Sequence, residues 1–193
     1  MDLNYKIIGI GGNARSGKDT LGENFKKILN ESGIKAETFS FADELKRSVD
    51  EFLLKETGIS AFTEDTKEKQ LIRPFLVCWG SDIMRNINNS IWIERLEPKL
   101  SDKQVNIITD MRFMNEFYWV EKLKGLTVMI HRDGIEPANH YEEINNKEMS
   151  EKVTSNFHVG NFEDNKLLYL TANEILDTLL DNEIFTLWKA TCH

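Results

Sequence analysis

Gly12-Asn13-Ala14-Arg15-Ser16-Gly17-Lys18-Asp19-Thr20 follows directly on the apolar run Lys6-Ile7-Ile8-Gly9-Ile10. Strand, glycine-rich loop and helix start in that order predict an α/β fold that opens on a phosphate-binding loop. Gly12 and Gly17 let the backbone curl so that successive N–H groups point inward, and the helix that follows adds its positive N-terminal end. Lys18 then reaches the β- and γ-phosphates of a nucleotide. The match to G-x-x-x-x-G-K-[ST] is complete except at its last position, where Asp19 replaces the hydroxyl that usually touches magnesium and Thr20 comes one residue late.

Two readings of Asp19 stay open. A carboxylate beside phosphates is unfavourable unless a metal or a cation offsets it, which points to a hydrated magnesium ion. The alternative is a helix-start acid stabilised by the macrodipole. A competing frame, Gly9-Ile10-Gly11-Gly12-Asn13-Ala14, fits G-x-G-x-x-A, the dinucleotide fingerprint. It ranks lower, because its first glycine would lie inside the strand, no acid ends the second strand, and it leaves Lys18 unexplained.

Working outward, 193 residues suit one α/β domain with enough chain to bury a substantial core. A formal charge of −8 argues against nucleic-acid or membrane partners, so small anionic ligands must be met by local cations. Cys78 and Cys192 show no metal-ligand spacing, and Cys78 is expected in the core. The lack of a signal-like start or a long apolar run predicts a cytoplasmic protein.

Strand-like and helix-like segments alternate, as in a parallel sheet with crossover helices. The expected strands are Lys6–Ile10, Lys35–Ser40, Val105–Thr109, Thr127–Ile130 and Lys166–Leu170. Expected helices are Lys18–Glu31, one starting near Ala42 with Leu45, Val49, Phe52 and Leu53 on its apolar face, a longer one running through Trp79, Phe113–Leu123, and a closing helix over Thr171–Trp188. The chain is read as a single P-loop NTPase-type domain over 1–193, three layers deep. A helical acceptor-side insertion is expected at about 43–100 and a lid at about 132–165, host cytoplasm being the compartment if the chain is phage-encoded.

A second chemical signal is Val105-Asn106-Ile107-Ile108-Thr109-Asp110, an apolar strand ending in a carboxylate and followed at once by Met111-Arg112. In a P-loop fold this strand neighbours the first, so Asp110 arrives beside the phosphates and can bind magnesium through water. Arg112 reaches the same crevice.

In their order these residues resemble the deoxynucleoside monophosphate kinases of large bacteriophages of the T-even type, within the P-loop nucleoside monophosphate kinases. The resemblance runs through Arg15-Ser16-Gly17-Lys18-Asp19-Thr20, Phe41-Ala42-Asp43 with Lys46, Trp79-Gly80-Ser81-Asp82 with Arg85 and Trp92, and Asp110-Met111-Arg112 with Asn115 and Glu116. His140 and Glu143 follow, in a segment that lacks the hydroxyl of the family pattern. It implies transfer of the γ-phosphoryl of ATP, with Mg2+ held largely through water, to a (deoxy)nucleoside monophosphate. It also implies substrate-side roles for Trp79, Asp82 and Glu116.

The cations fit that chemistry, since phosphoryl transfer is mostly positioning and charge neutralisation. Arg15 and Lys18 lie in the loop, Lys46 after the second strand, Arg85 in the middle helices and Arg112 after the acid-tipped strand; Arg73 reads as a solvated helix arginine. Arg forks match phosphate geometry, which assigns Arg85 and Arg112 to the acceptor or transferred phosphate. Arg132 is placed to stack on adenine or reach over the phosphates, and Phe41 and Ala42 to touch a base or sugar. Trp79 and Trp92 sit on apolar helical faces where packing is the default, while His131, His140 and His158 show no catalytic spacing. The partners expected are small-molecule nucleotides, with a homodimer left open. Two alternatives are kept: a small-metabolite kinase such as one acting on dephospho-coenzyme A, and a nucleotide-binding regulatory module.

Overall fold

Lys6–Gly11 is buried along its whole length and forms β1, at the middle of a parallel sheet with strand order β2-β3-β1-β4-β5. In this computed structural model the described residues are 6–136, 140–153, 155–159, 172–174 and 176. Besides β1, the sheet contains β2 (Ala36–Phe39), β3 (Val105–Met111), β4 (Leu126–Arg132) and β5 (Ser155–Val159). β1 pairs with β3 on one side and β4 on the other, and both ladders are parallel. The strand order reverses at β1, so the crevice beyond its C-terminal end is the switch point at which α/β sheets take ligands.

Buried on both faces, β1, β3 and β4 read as near-continuous apolar runs rather than alternations. On one face Ile8, Ile10, Ile107, Val128 and Ile130 pack with Leu21, Phe25 and Leu29 of α1 (Lys18–Glu31), joined by Ala172 and Leu176. α6 (Met114–Lys122) carries buried Phe117 and Val120. The α/β architecture with a central parallel sheet is thus the one expected.

Element ends differ from expectation. β3 extends through Asp110 to Met111 and β4 from Leu126 to Arg132, because the length of a buried parallel strand is set by the ladders beside it. Within the expected lid stretch lie α7 (His140–Ser150) and β5, which pairs Val128 with Ser155 through Arg132 with Val159. Ser-Asn-Phe-His-Val is short and carries only Phe157 and Val159 as apolar residues, so its pairing along β4 is what marks it as a strand. The expected strand at Lys166–Leu170 lies outside the described residues. Of the expected closing helix, only 172–174 and 176 are described, and they are helical.

The chain divides into two compact units, one carrying the sheet and the other spanning Ser40–Lys99. The second holds α2 (Phe41–Thr57), α3 (Thr66–Val77), a π-helical segment (Cys78–Met84), α4 (Arg85–Ile87), α5 (Ile91–Leu96) and a 3-10 turn (Glu97–Lys99). Asp65 caps α3 by accepting from Lys67 N at 2.8 Å and Glu68 N at 3.0 Å. Pro74 removes one donor near its end, and the expected continuous helix through Trp79 widens there into the π-helical segment. Cys78 is exposed rather than in the core. No helix among the described residues is long and apolar enough to cross a membrane.

Candidate active site

The loop after β1 is built on unusual backbone. Gly12 has φ 140°, and a Cβ there would stand 2.4 Å from the Ile130 carbonyl oxygen on β4, so no other residue fits without displacing a neighbour. Gly17, the N-cap of α1, has φ 98°, and Arg15 takes φ 67° in the left-handed region that non-glycine residues rarely enter. Strain of this kind, of order 1–3 kcal/mol, persists where the surrounding structure over-determines the backbone. Lys18 is buried, and its Nζ donates to the carbonyls of Gly12 at 2.8 Å and Asn13 at 2.5 Å. The ammonium is thereby held inside the loop it would serve. Ser16 Oγ is buried and has no hydrogen-bond partner among the described residues. A buried hydroxyl without a partner is costly, and here it stands in a glycine-containing loop at a helix N-terminus, an arrangement suited to phosphate oxygens.

Asp19 is exposed in the first turn of α1, and its Oδ1 accepts from Thr109 Oγ1 at 2.9 Å. Asp19 thus takes a hydroxyl partner from β3, one that reading the loop alone does not find. Two local features bring the pair together. Gly22 lets α1 lie close on β3, where a Cβ would stand 2.4 Å from Thr109 Cγ2. In the β1–β3 ladder Gly9 pairs with Ile108 but Gly11 with Met111, so β3 carries one extra residue at Thr109-Asp110. Such irregularities re-aim side chains and recur beside active sites. Asp110 is buried inside the strand rather than at its tip. Asp19 and Asp110 could hold magnesium; no cluster of three or more acidic, His or Cys ligands forms among the described residues. The donor set fits a hydrated ion completed by phosphate oxygens and water.

Met111 pairs with Gly11, and Arg112 therefore leaves β3 level with the start of the loop. Its guanidinium is exposed and, like that of Arg15, has no partner among the described residues. Glu116, the candidate for the substrate side, lies buried in the first turn of α6. It is 1% exposed, and its Oε2 accepts from the backbone N–H groups of Arg112 at 2.7 Å and Phe113 at 3.0 Å, capping α6 from within. A carboxylate committed to two backbone donors fixes the peptide that carries Arg112. Arg132 ends β4, half-buried.

The remaining candidates belong to the Ser40–Lys99 unit. Phe41 is 3% exposed and Ala42 half-buried at the start of α2. Lys46 Nζ lies 3.8 Å from Asp43 and 5.3 Å from the Phe62 ring centroid. Trp79 packs against Val49, Leu53, Ala61 and Ile72 and donates its indole N–H to Ser48 Oγ at 3.0 Å, while Trp92 donates to the Gly80 carbonyl at 3.2 Å. Trp79 thus packs within its unit, the default expected for it. Asp82 is exposed, Arg85 donates to the Asn89 carbonyl at 3.1 Å, and Arg73 is exposed.

Residues 10–125 match the sequence family of the phosphomevalonate kinases. No curated protein matches the chain by sequence. Among solved structures the chain is similar to a shikimate kinase from Acinetobacter baumannii in complex with shikimate, at 13% identity over 93% of this chain and 95% of that one, TM-score 0.49. It is also similar to a shikimate kinase from Bacteroides thetaiotaomicron, at 16% identity over 92% and 99%, TM-score 0.49. A third is the APS kinase CysC of Mycobacterium tuberculosis with AMPPNP and APS, at 13% identity over 91% and 97%, TM-score 0.41. The matched family is not that of the phage deoxynucleoside monophosphate kinases; what stands is the broader P-loop kinase group.

Proposed function

Because the chain belongs to the phosphomevalonate kinase family, a family of small-molecule P-loop kinases, we propose that it transfers the γ-phosphoryl of ATP to the phosphate of a monoester, and that this acceptor is a (deoxy)nucleoside monophosphate. The observation that carries this reading is Arg112. A guanidinium with no protein partner among the described residues leaves β3 beside the phosphate loop, on a peptide pinned by the buried Glu116 carboxylate. A site for nucleotide alone has Lys18 and the loop N–H groups; a second anion gives Arg112 its purpose.

In this reading Lys18 leaves the loop carbonyls for the phosphates, and Arg15 and Arg112 take up charge on the transferred and acceptor groups. Asp19, held by Thr109, and Asp110 would hold hydrated magnesium, which would supply positive charge to offset that of the phosphates. Transfer lengthens the acceptor by one phosphoryl group and releases ADP. The nucleoside identity is supported by the order of motifs, which also proposes Lys46 and Arg85 for the acceptor. Phosphomevalonate is the second reading, favoured by the family match. A regulatory nucleotide-binding module needs no cation equivalent to Arg112.

The test is ADP release from ATP and Mg2+ against deoxy- and ribonucleoside monophosphates, phosphomevalonate and shikimate. Turnover greatest with one nucleoside monophosphate is expected. Turnover with phosphomevalonate alone would transfer the assignment to the second reading, and ADP release indifferent to every acceptor would sink the monoester reading.

A further inference from the structure

Asn13 is the hub of the loop. Its carbonyl accepts from Lys18 Nζ and from Ser16 N at 3.2 Å. Its side chain faces outward to two later parts of the chain: Nδ2 donates to the Ile135 carbonyl at 2.9 Å, and Oδ1 accepts from Asn146 Nδ2 on α7 at 2.5 Å. Asn146 is 8% exposed, and its own Oδ1 has no hydrogen-bond partner among the described residues. Nothing in the sequence motifs points to it, since it lies 133 residues from Asn13 in a polar helix.

We propose that Asn146 is a positioning residue for the nucleotide site, acting through Asn13 to hold the phosphate loop in the shape that accepts ATP; this rests on the kinase reading above. A side-chain amide that accepts from α7 and donates to the Ile135 carbonyl can satisfy both only in one orientation, so the pair fixes the Asn13 rotamer. With the rotamer fixed, the peptide that holds both Lys18 Nζ and Ser16 N is fixed as well. α7 is itself anchored on α6, where Asn145 Oδ1 accepts from Met114 N at 3.3 Å and Glu148 and Lys152 meet Tyr118. The loop is thereby tied through α7 to α6.

The experiment is equilibrium titration of the full chain with ATP, in parallel with acceptor kinetics, for wild type, Asn146→Ala, Asn146→Asp, Asn13→Ala, the Asn13→Ala/Asn146→Ala double variant and Lys18→Ala. Asn146→Ala is expected to weaken ATP about three- to tenfold, the range set by one side-chain hydrogen bond, with the acceptor KM unchanged. Asn146→Asp, which keeps the shape but turns a donor toward Asn13 into an acceptor, should do at least as badly. The double variant should be no worse than the poorer single one, because the two residues act as a unit. Unchanged ATP affinity in both Asn146 variants, or fully additive losses, would overturn the proposal while a Lys18→Ala defect left the kinase reading intact. A wild-type chain that binds no ATP would overturn both.

Discussion

In the kinase reading, the buried Lys18 ammonium, which donates to the Gly12 and Asn13 carbonyls, is the loop's cation for the nucleotide phosphates. Lys18→Ala should lower turnover more than tenfold, about 1.4 kcal/mol or more of transition-state stabilisation, as read in steady-state kinetics. Retention of a tenth or more of wild-type turnover would contradict the loop assignment. Thr109 donates its hydroxyl to Asp19. Thr109→Val keeps the volume and removes the donor, so the magnesium concentration for half-maximal turnover should rise severalfold while ATP affinity in metal-free buffer holds; Asp110→Asn should show the same contrast more strongly. Equal losses in both measurements would make the pair structural. Arg112→Ala should raise the acceptor KM by a factor matching about 1.5–3 kcal/mol with ATP affinity within a few-fold of wild type, the usual cost of a charged hydrogen bond. Lys18, Gly12 and Gly17 were legible from spacing, because a phosphate loop constrains residue types at fixed offsets. Thr109, Glu116 and Asn146 were not, because each acts on a partner outside its own motif or through backbone, and hydroxyls, carboxylates and amides of those jobs look like any others in a string.

Elements, too, are placed by side chains that never meet a ligand. α1 lies on β3 through Gly22, where a methyl group would stand 2.4 Å from Thr109 Cγ2. Gly22→Ala should therefore destabilise the fold by about 1–3 kcal/mol, the usual range for overpacking, seen as a lower denaturation midpoint at unchanged m-value. Adding Thr109→Ser, which removes the clashing methyl and keeps the hydroxyl, should recover much of that loss. No recovery would mean that the close approach is not what the glycine secures. β3 and β4 run one or two residues beyond the ends that composition suggests, because ladders decide where a buried parallel strand stops. For β5 the same cause was decisive: two apolar residues, Phe157 and Val159, are too short a signal to mark a strand, yet β4 pairs with it along five positions. The π-helical stretch after Pro74 has a local reason, though Pro alone does not say whether a helix stops, kinks or widens.

On the scale of the whole molecule, folding and nucleotide binding are linked. ATP with Mg2+ at about a hundred times its dissociation constant should add about 2.7 kcal/mol to the stability of the unit that carries the loop. In a chain of this size that is a rise of roughly 5–10 °C in its melting transition, absent in Lys18→Ala. Calorimetry decides this independently of any acceptor, and the same experiment resolves whether the sheet unit and Ser40–Lys99 melt in one transition or two. The sequence by itself determined the fold class, the loop and the central order of β1 beside β3, because glycine, lysine and buried apolar runs are short-range demands that a few adjacent residues must meet. It also marked Asp110 and Arg112 by their place after an apolar strand. Only the tertiary structure decided that Asp19 takes its hydroxyl from β3, that Glu116 serves the backbone of Arg112, and that α7 reaches the loop through Asn146. Those contacts join residues up to 133 positions apart, and such pairings follow from how helices and strands pack rather than from any local pattern.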